Sequence, residues 1–141
     1  MCIRDSLLNR YGSLTPEVLA LAADDHGLLQ PVPGGEEYLM VEMVYAVTHE
    51  GALHLDDLLA RRTRISIETP HRGVGSAEPV ARVVGPLLGW DADRITNEVA
   101  SYTARVEAER RSQTEPNDQE ADAARVAAPD TRAVAVGRAL Q

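Results

Sequence analysis

One segment, residues 41–67, constrains the fold of this chain more than any other. It lies within the longest stretch of the sequence without proline and reads VEMVYAVTHEGALHLDDLLARRTRISI. In its second half acidic residues come first and arginines last, which is the charge order that a helix dipole favours. The positions that share one face at helical spacing are Leu55, Leu58, Leu59 and Arg62. This spacing predicts a strong helix over residues 55–67.

The composition favours an all-α fold in one domain. A chain of 141 residues is long enough for one domain with its own core. Hydrophobic residues make up 44% of it, but aromatic residues only 4%, and phenylalanine is absent. Small aliphatic side chains suit helix packing better than a β-sandwich. We therefore expect a small orthogonal bundle of about five helices over residues 7–111.

Capping residues predict where the other helices begin and end. A short helix should cover residues 7–11 and stop at Gly12, a favoured residue after a helix end. Thr15, Ser76 and Asp91 are placed to cap the helices that follow them.

The last two helices carry further signals. Pro86 should kink or shorten the helix that follows Ser76. The helix after Asp91 has an apolar seam on one face, formed by Ile95, Val99, Tyr102 and Val106.

Residues 36–48 fit two structures. Apolar residues alternate through this segment, as in a strand, and they also recur at helical spacing at Met40, Met43, Val44 and Val47. No partner strand is evident, and a lone strand would leave its backbone groups unpaired. We therefore predict a helix.

The two ends differ in character from the middle. The first six residues, MCIRDS, have the look of an artificial start, and we expect them to be foreign to the natural protein. From Ser112 the sequence is polar, rich in alanine and without aromatic residues. This composition predicts a disordered or weakly helical tail over residues 112–141.

Charge and cysteine content exclude several classes of function. The net charge of −8 argues against a nucleic-acid partner, because phosphates need a basic surface. Cys2 is the only cysteine, so neither an internal disulfide nor a cysteine metal cluster can form. No apolar run approaches the roughly 20 residues of a membrane span.

Two familiar motifs fail on their spacing. His49, Glu50 and His54 resemble a zinc-protease motif, but its histidines must lie four residues apart. Gly73 and Gly75 resemble the start of a dinucleotide loop, but a glutamate occupies the third glycine position. We therefore predict no metal site at these histidines and no dinucleotide-binding loop at these glycines.

The arginines of residues 61–64 allow two interpretations from the sequence alone. They could bind a phosphate or carboxylate with paired hydrogen bonds. Alternatively, they stabilise the end of a helix and form salt bridges with nearby Asp56, Asp57 or Glu68.

Several blocks of sequence, in order, resemble one family. They are LLNRYGS, EVLALA, VYAVTHEGALHLDDLLARRTRISIET and PVARVVGPLLGWD. They resemble the C-terminal, all-helical domain of FAD-dependent glycerol-3-phosphate dehydrogenases, which also ends the related glycerophosphate oxidases. The details are most similar to the actinobacterial branch.

The resemblance implies a role within a larger enzyme. The complete proteins of this family bind FAD, oxidise sn-glycerol 3-phosphate to dihydroxyacetone phosphate, and pass electrons to a membrane quinone or to oxygen. The flavin site lies in their large N-terminal part, so the resemblance implies no cofactor and no activity in this chain by itself. It implies a cytoplasmic protein whose membrane contact is peripheral and occurs through the full enzyme.

The resemblance also implies the partners. The first is the flavin-binding catalytic domain of the same longer protein, and a homodimer is a second expectation. The candidate domain-interface residues are Tyr45, His49, Glu50, Arg61, Arg62 and Arg64. The alternative is a free-standing acidic helical interaction module without catalysis, with Met43, Tyr45 and the arginines as its contact surface.

Overall fold

The computed structural model describes residues 3–128, most of which are helical. The α-helices are α1 (Ile3–Tyr11), α2 (Thr15–Ala20), α3 (Met40–His49), α4 (Ile65–Glu68), α5 (Val74–Val84), α6 (Ala92–Thr114) and α7 (Asp118–Val126). A π-helix, Asp57–Arg62, lies between α3 and α4. Strands β1 (Pro31–Val32) and β2 (Gly35–Leu39) form an antiparallel hairpin. The predicted helical class is confirmed, and the hairpin is the only sheet in the described part of the chain.

Helix α3 is the centre of the fold because it contributes to two apolar cores. Its residues 40–46 are all buried. Val41 and Tyr45 belong to the smaller core, which α3 forms with α1 and α2. Met43 belongs to the larger core, which also receives the apolar seam predicted along α6. Since Met43 is fully buried, its predicted place on a contact surface is wrong.

Strand β2 corrects the prediction of a single helix over residues 36–48. Helix α3 accounts only for the part from Met40 onward, and β2 precedes it. The partner strand β1 has only two residues and pairs Pro31 with Leu39, so it is too short to recognise from a sequence pattern. The turn between the strands places Gly34 in the left-handed region, at φ 78°, where glycine is favoured.

The helix predicted over residues 55–67 is interrupted. Its π-helical part ends at Arg62 and is followed by Thr63, whose N–H and hydroxyl donate to the Leu58 carbonyl at 3.1 and 2.8 Å. A π-turn holds more residues than an α-turn, so it changes which side chains share a face. Leu58 and Leu59 remain fully buried, whereas Arg62 points outward instead of sharing their face as predicted.

Two of the three predicted helix caps are wrong because their hydroxyls bind elsewhere. Thr15 is buried and donates to a carbonyl of the preceding turn at 2.8 Å. Ser76 is buried inside α5 and donates to the carbonyl of Pro33 at 2.7 Å. The cap at Asp91 and the shortening of α5 ahead of Pro86 are both confirmed.

Helical structure extends past the predicted limits at both ends. Helix α1 begins at Ile3, inside the residues expected to be foreign. Helix α6 continues to Thr114, and α7 packs against it with Ala121 buried. The first half of the predicted tail is thus mostly helical. Residues 129–141 of that tail lie outside the described residues.

A buried ion pair joins α1 to α3. The carboxylate of Glu42 is fully buried and accepts from Arg10 through Nε at 2.6 Å and Nη2 at 2.9 Å. It also accepts the N–H of Leu39 at 2.7 Å and so caps the start of α3. Arg10 in turn donates to the carbonyl of Glu37 at 3.1 Å and lies over the ring of Tyr38. One carboxylate therefore fixes the junction of α1, β2 and α3.

We predict that the substitution Glu42→Gln lowers the free energy of unfolding by about 2–3 kcal/mol. Breaking a fully buried pair costs roughly 3–5 kcal/mol, and the cost here is lower because Arg10 keeps some contact with water. The matched control is Glu78→Gln, whose pair with Arg82 is exposed and should contribute less than about 0.5 kcal/mol. Urea unfolding followed by circular dichroism measures both values, and equally small effects would contradict this role of Glu42.

Candidate docking surface

An open cleft of about 550 Å³ lies where α1, the end of α3 and the π-helix meet. We call it the aromatic cleft. It is lined by residues from two parts of the chain: Arg10, Tyr11 and Leu14, and Tyr45, His49, Glu50 and Arg62. Four of the six candidate interface residues therefore line one cleft. The contribution of α1 to the cleft has no counterpart in the sequence prediction, because α1 lies more than thirty residues away along the chain.

Aromatic rings order one side of the aromatic cleft. Tyr45 stacks on His49 with ring centroids 4.6 Å apart, and Tyr11 meets Tyr45 edge-on at 5.4 Å. His49 has a second neighbour, Glu17, whose carboxylate lies 3.1 Å from His49 Nε2. Such ring pairs stabilise by about 0.5–1.5 kcal/mol beyond their buried area. The rings are thus held in place before any partner binds.

Arg62 brings positive charge to the aromatic cleft. Its Nη2 donates to the carbonyl of Glu50 at 2.7 Å, while the Glu50 carboxylate is 3.9 Å from its Nε. The side chain of Arg62 is 42% exposed. Its planar guanidinium has five N–H donors, so several remain for carboxylate or carbonyl groups of a partner.

The other two candidate interface residues lie outside the aromatic cleft. Arg61 pairs with Asp57 at 2.5 Å and with Asp56 at 3.2 Å. Arg64 pairs with Glu68 at 3.5 Å. Burial opposes ionisation of Asp57, but hydrogen bonds from the Leu53 N–H and from Arg61 hold its pKa below the usual value. The local salt bridges considered as an alternative from the sequence are therefore present.

A second cleft, of about 330 Å³, lies on the other side of the loop that follows α3. We call it the Trp90 cleft, and its lining includes Leu53, His54, Leu88, Trp90 and Arg94. Behind it, Glu98 Oε1 lies 2.9 Å from His54 Nδ1 and 2.8 Å from Arg94 Nη2. No sequence pattern points to this cluster, since Glu98 reaches His54 from a distant helix.

The two histidines of the rejected zinc-protease motif contact different carboxylates. His49 pairs with Glu17, and His54 pairs with Glu98. Across residues 3–128, no group of three or more histidine, cysteine or acidic side chains is placed to hold a metal ion.

The segment of Gly73 and Gly75 does not have the structure of a dinucleotide-binding loop. A dinucleotide loop needs a strand before it and a helix after it within a βαβ unit. Gly73 and Gly75 are instead preceded by α4 and a 3₁₀ turn, and Gly75 lies within α5. Separately, none of the helices described here has the length and apolar character to cross a bilayer.

These features define a class: a small helical domain with open surface clefts. The model of the family described as the C-terminal domain of alpha-glycerophosphate oxidase matches residues 3–95. The chain belongs to this family. The match includes four of the residues expected to be foreign, while the domain boundaries at residues 6 and 111 stay predictions.

Curated relatives agree with this assignment. The chain is 59% identical over 127 residues to glycerol-3-phosphate dehydrogenase 2 of Mycobacterium tuberculosis. This match covers 90% of the chain and 22% of the relative. It is 59% identical over 126 residues to glycerol-3-phosphate dehydrogenase of Mycobacterium leprae, covering 89% and 22%. A probable mitochondrial glycerol-3-phosphate dehydrogenase of Dictyostelium discoideum is 29% identical over 97 residues, covering 69% and 15%. No solved structure matches.

Two facts follow from these matches. The resemblance to the actinobacterial branch is confirmed by the mycobacterial relatives. The chain spans only about a fifth of the length of the mycobacterial relatives, 22% in each case.

We predict that three of the four tyrosines, Tyr11, Tyr45 and Tyr102, resist ionisation in the folded chain, because burial raises the pKa of each. Burial, followed by the charges of Glu42 and Glu50, raises the pKa of Tyr11, and burial likewise raises that of Tyr102. A raised folded pKa means that stability is complete below the unfolded value of about 10 and is lost as the pH rises above it.

Phenolate absorbance measured during an alkaline titration checks this prediction. The urea-unfolded chain is the control, and all its phenols should titrate at about pH 10, the ordinary pKa of tyrosine. Tyr11→Phe should remove part of the delayed absorbance. Simultaneous ionisation of every tyrosine while the helical signal persists would contradict the prediction.

Proposed function

We propose that this chain is the C-terminal helical domain of a longer FAD-dependent glycerol-3-phosphate dehydrogenase. That enzyme oxidises sn-glycerol 3-phosphate to dihydroxyacetone phosphate and passes the electrons to quinone. The observation that carries the proposal is the 59% identity over 90% of this chain to a relative of which it spans 22%. The enzyme is cytoplasmic, with peripheral contact at the inner face of the cell membrane.

The role of the chain in that enzyme is to dock on the flavin-binding catalytic portion. The aromatic cleft supports this role, because Arg62 keeps free donors and Leu14 leaves 47% of its surface exposed. Arginine and tyrosine are the side chains most often found at the energetic centre of interfaces. His49 and Glu50 complete the docking face, the buried Tyr45 supports it by stacking on His49, and Arg61 and Arg64 act at its edge. Homodimer contacts are a further role of the same domain.

We predict that the chain acquires function only in the longer protein. The test protein is a chimera in which this chain replaces the matching part of the M. tuberculosis relative. The chimera should bind flavin and reduce a dye with sn-glycerol 3-phosphate at a rate within about tenfold of the parent, an allowance of about 1.4 kcal/mol. The chain by itself should show neither flavin absorbance nor dye reduction.

The opposite result favours the free-standing module. The chimera could bind flavin but fail to oxidise the substrate, while the chain alone melts cooperatively. In that case the chain cannot replace the C-terminal domain of such an enzyme. Flavin bound by the chain alone would also contradict the proposal.

We predict that Arg62→Glu opens the proposed interface in the chimera. Reversing a charge at the docking face should speed hydrogen exchange of residues 45–50 about tenfold, which corresponds to about 1.4 kcal/mol. The matched control is Arg82→Glu, which changes an exposed arginine of α5 that pairs only with Glu78 in the described structure. Mass-spectrometric hydrogen exchange measures both variants. If residues 45–50 exchange at the same rate in the two variants, Arg62 does not contribute to the interface.

A further inference from the structure

We propose that the Trp90 cleft is a second docking point for the catalytic portion of the same longer protein. It receives a large apolar side chain of that portion, next to a backbone N–H or hydroxyl that donates a hydrogen bond to His54. This inference rests on the proposed function, and it concerns residues that neither the family resemblance nor the aromatic cleft involves.

The groups behind the cleft fix the hydrogen-bonding character of His54. Glu98 is 3% exposed, and its Oε1 accepts from Arg94 Nη2 at 2.8 Å and Nε at 3.2 Å. Oε1 of Glu98 accepts both guanidinium bonds, so it acts as a hydrogen-bond acceptor toward its other neighbour as well. His54 Nδ1, 2.9 Å from the same oxygen, therefore carries the proton and donates it. In the neutral imidazole this leaves Nε2 as an acceptor.

The acceptor nitrogen of His54 is accessible from the cleft. The His54 side chain is 10% exposed, and its only polar contact in the described structure is the one to Glu98. No fully buried side-chain nitrogen or oxygen of the described residues lacks a hydrogen-bond partner. Nε2 has no such partner, so it is not fully buried, and the cleft that His54 lines is where a donor can reach it.

The apolar part of the cleft points to a protein partner rather than a small molecule. Leu53 stands at the cleft with 60% of its surface exposed, and Leu88 and Trp90 line it. The volume is at the lower limit of small-molecule pockets, which start at about 300 Å³. A small ligand inside would leave most of Leu53 in water, whereas a protein surface would cover it. Covering exposed apolar surface is the main gain on association.

The same longer protein is a better occupant than a second copy of this chain. The chain spans 22% of the mycobacterial relatives, so most of such a protein lies outside it and is tethered to it. A tethered partner has an effective concentration in the millimolar range, far above that of a separate copy. Glu50 of the aromatic cleft and Leu53 of the Trp90 cleft are three residues apart, at most about 11 Å of chain. The two clefts are therefore close to each other along the chain, within reach of one tethered partner.

Hydrogen exchange tests this inference by comparing the chain alone with the chimera described above. In the chimera, amides of residues 53–55 and 88–91 should exchange at least tenfold more slowly than in the chain alone. Leu53→Asp in the chimera should abolish this protection. The matched control is Ile67→Asp, which alters a 71% exposed aliphatic residue on α4 and should leave the protection intact.

Each alternative outcome overturns the inference. If residues 45–50 gain protection in the chimera while residues 53–55 and 88–91 do not, the Trp90 cleft is no docking point, and the proposed function stands. If no segment gains protection, docking fails at both clefts. If protection of the chain alone rises with its concentration, the occupant is a second copy. If Ile67→Asp acts as strongly as Leu53→Asp, the effect is not specific to the cleft.

Discussion

The structure depends on the burial of one carboxylate, that of Glu42, at the start of its central helix. A buried charge is costly unless it is paired and hydrogen-bonded, and Glu42 meets this condition through Arg10 and the N–H of Leu39. Pairing with Arg10 brings α1 against α3, which places Tyr11 edge-on to Tyr45. The aromatic cleft is therefore a consequence of how the charge of Glu42 is satisfied.

Local signals in the sequence were sufficient for the features that depend on neighbouring residues. The seam of α6, its cap at Asp91 and the end of α5 near Pro86 all follow from side chains within one or two helical turns. The salt bridges of Arg61 and Arg64 are equally local. Helix propensity, capping and short-range pairing act over such distances, so a linear pattern contains the information.

The features that the sequence could not reveal depend on distant partners. Ser76 was expected to cap a helix, but it satisfies the carbonyl of Pro33 next to the hairpin. The π-helix rearranges Arg62 toward Glu50, and nothing in the spacing of the leucines indicates this change. Arg62, His49 and Glu50 were identified by family resemblance, while their meeting with α1 required the packing around Glu42. The pairing of His54 with Glu98 spans 44 residues and has no sequence signal at all.

Both clefts share one construction, which bears on how they bind. In each, a buried carboxylate holds an arginine that also lines the cleft: Glu42 holds Arg10, and Glu98 holds Arg94. Ordering a mobile arginine side chain on binding costs about 0.5–1.5 kcal/mol. An arginine that is already fixed in the folded domain avoids most of this cost when a partner binds. Arg94 lies 5.8 Å from the ring centroid of Trp90, and Arg10 lies 4.6 Å from that of Tyr38. Two clefts whose arginines are already fixed support the proposed docking on a permanent neighbour in the same polypeptide, because varied partners are better served by an adaptable surface.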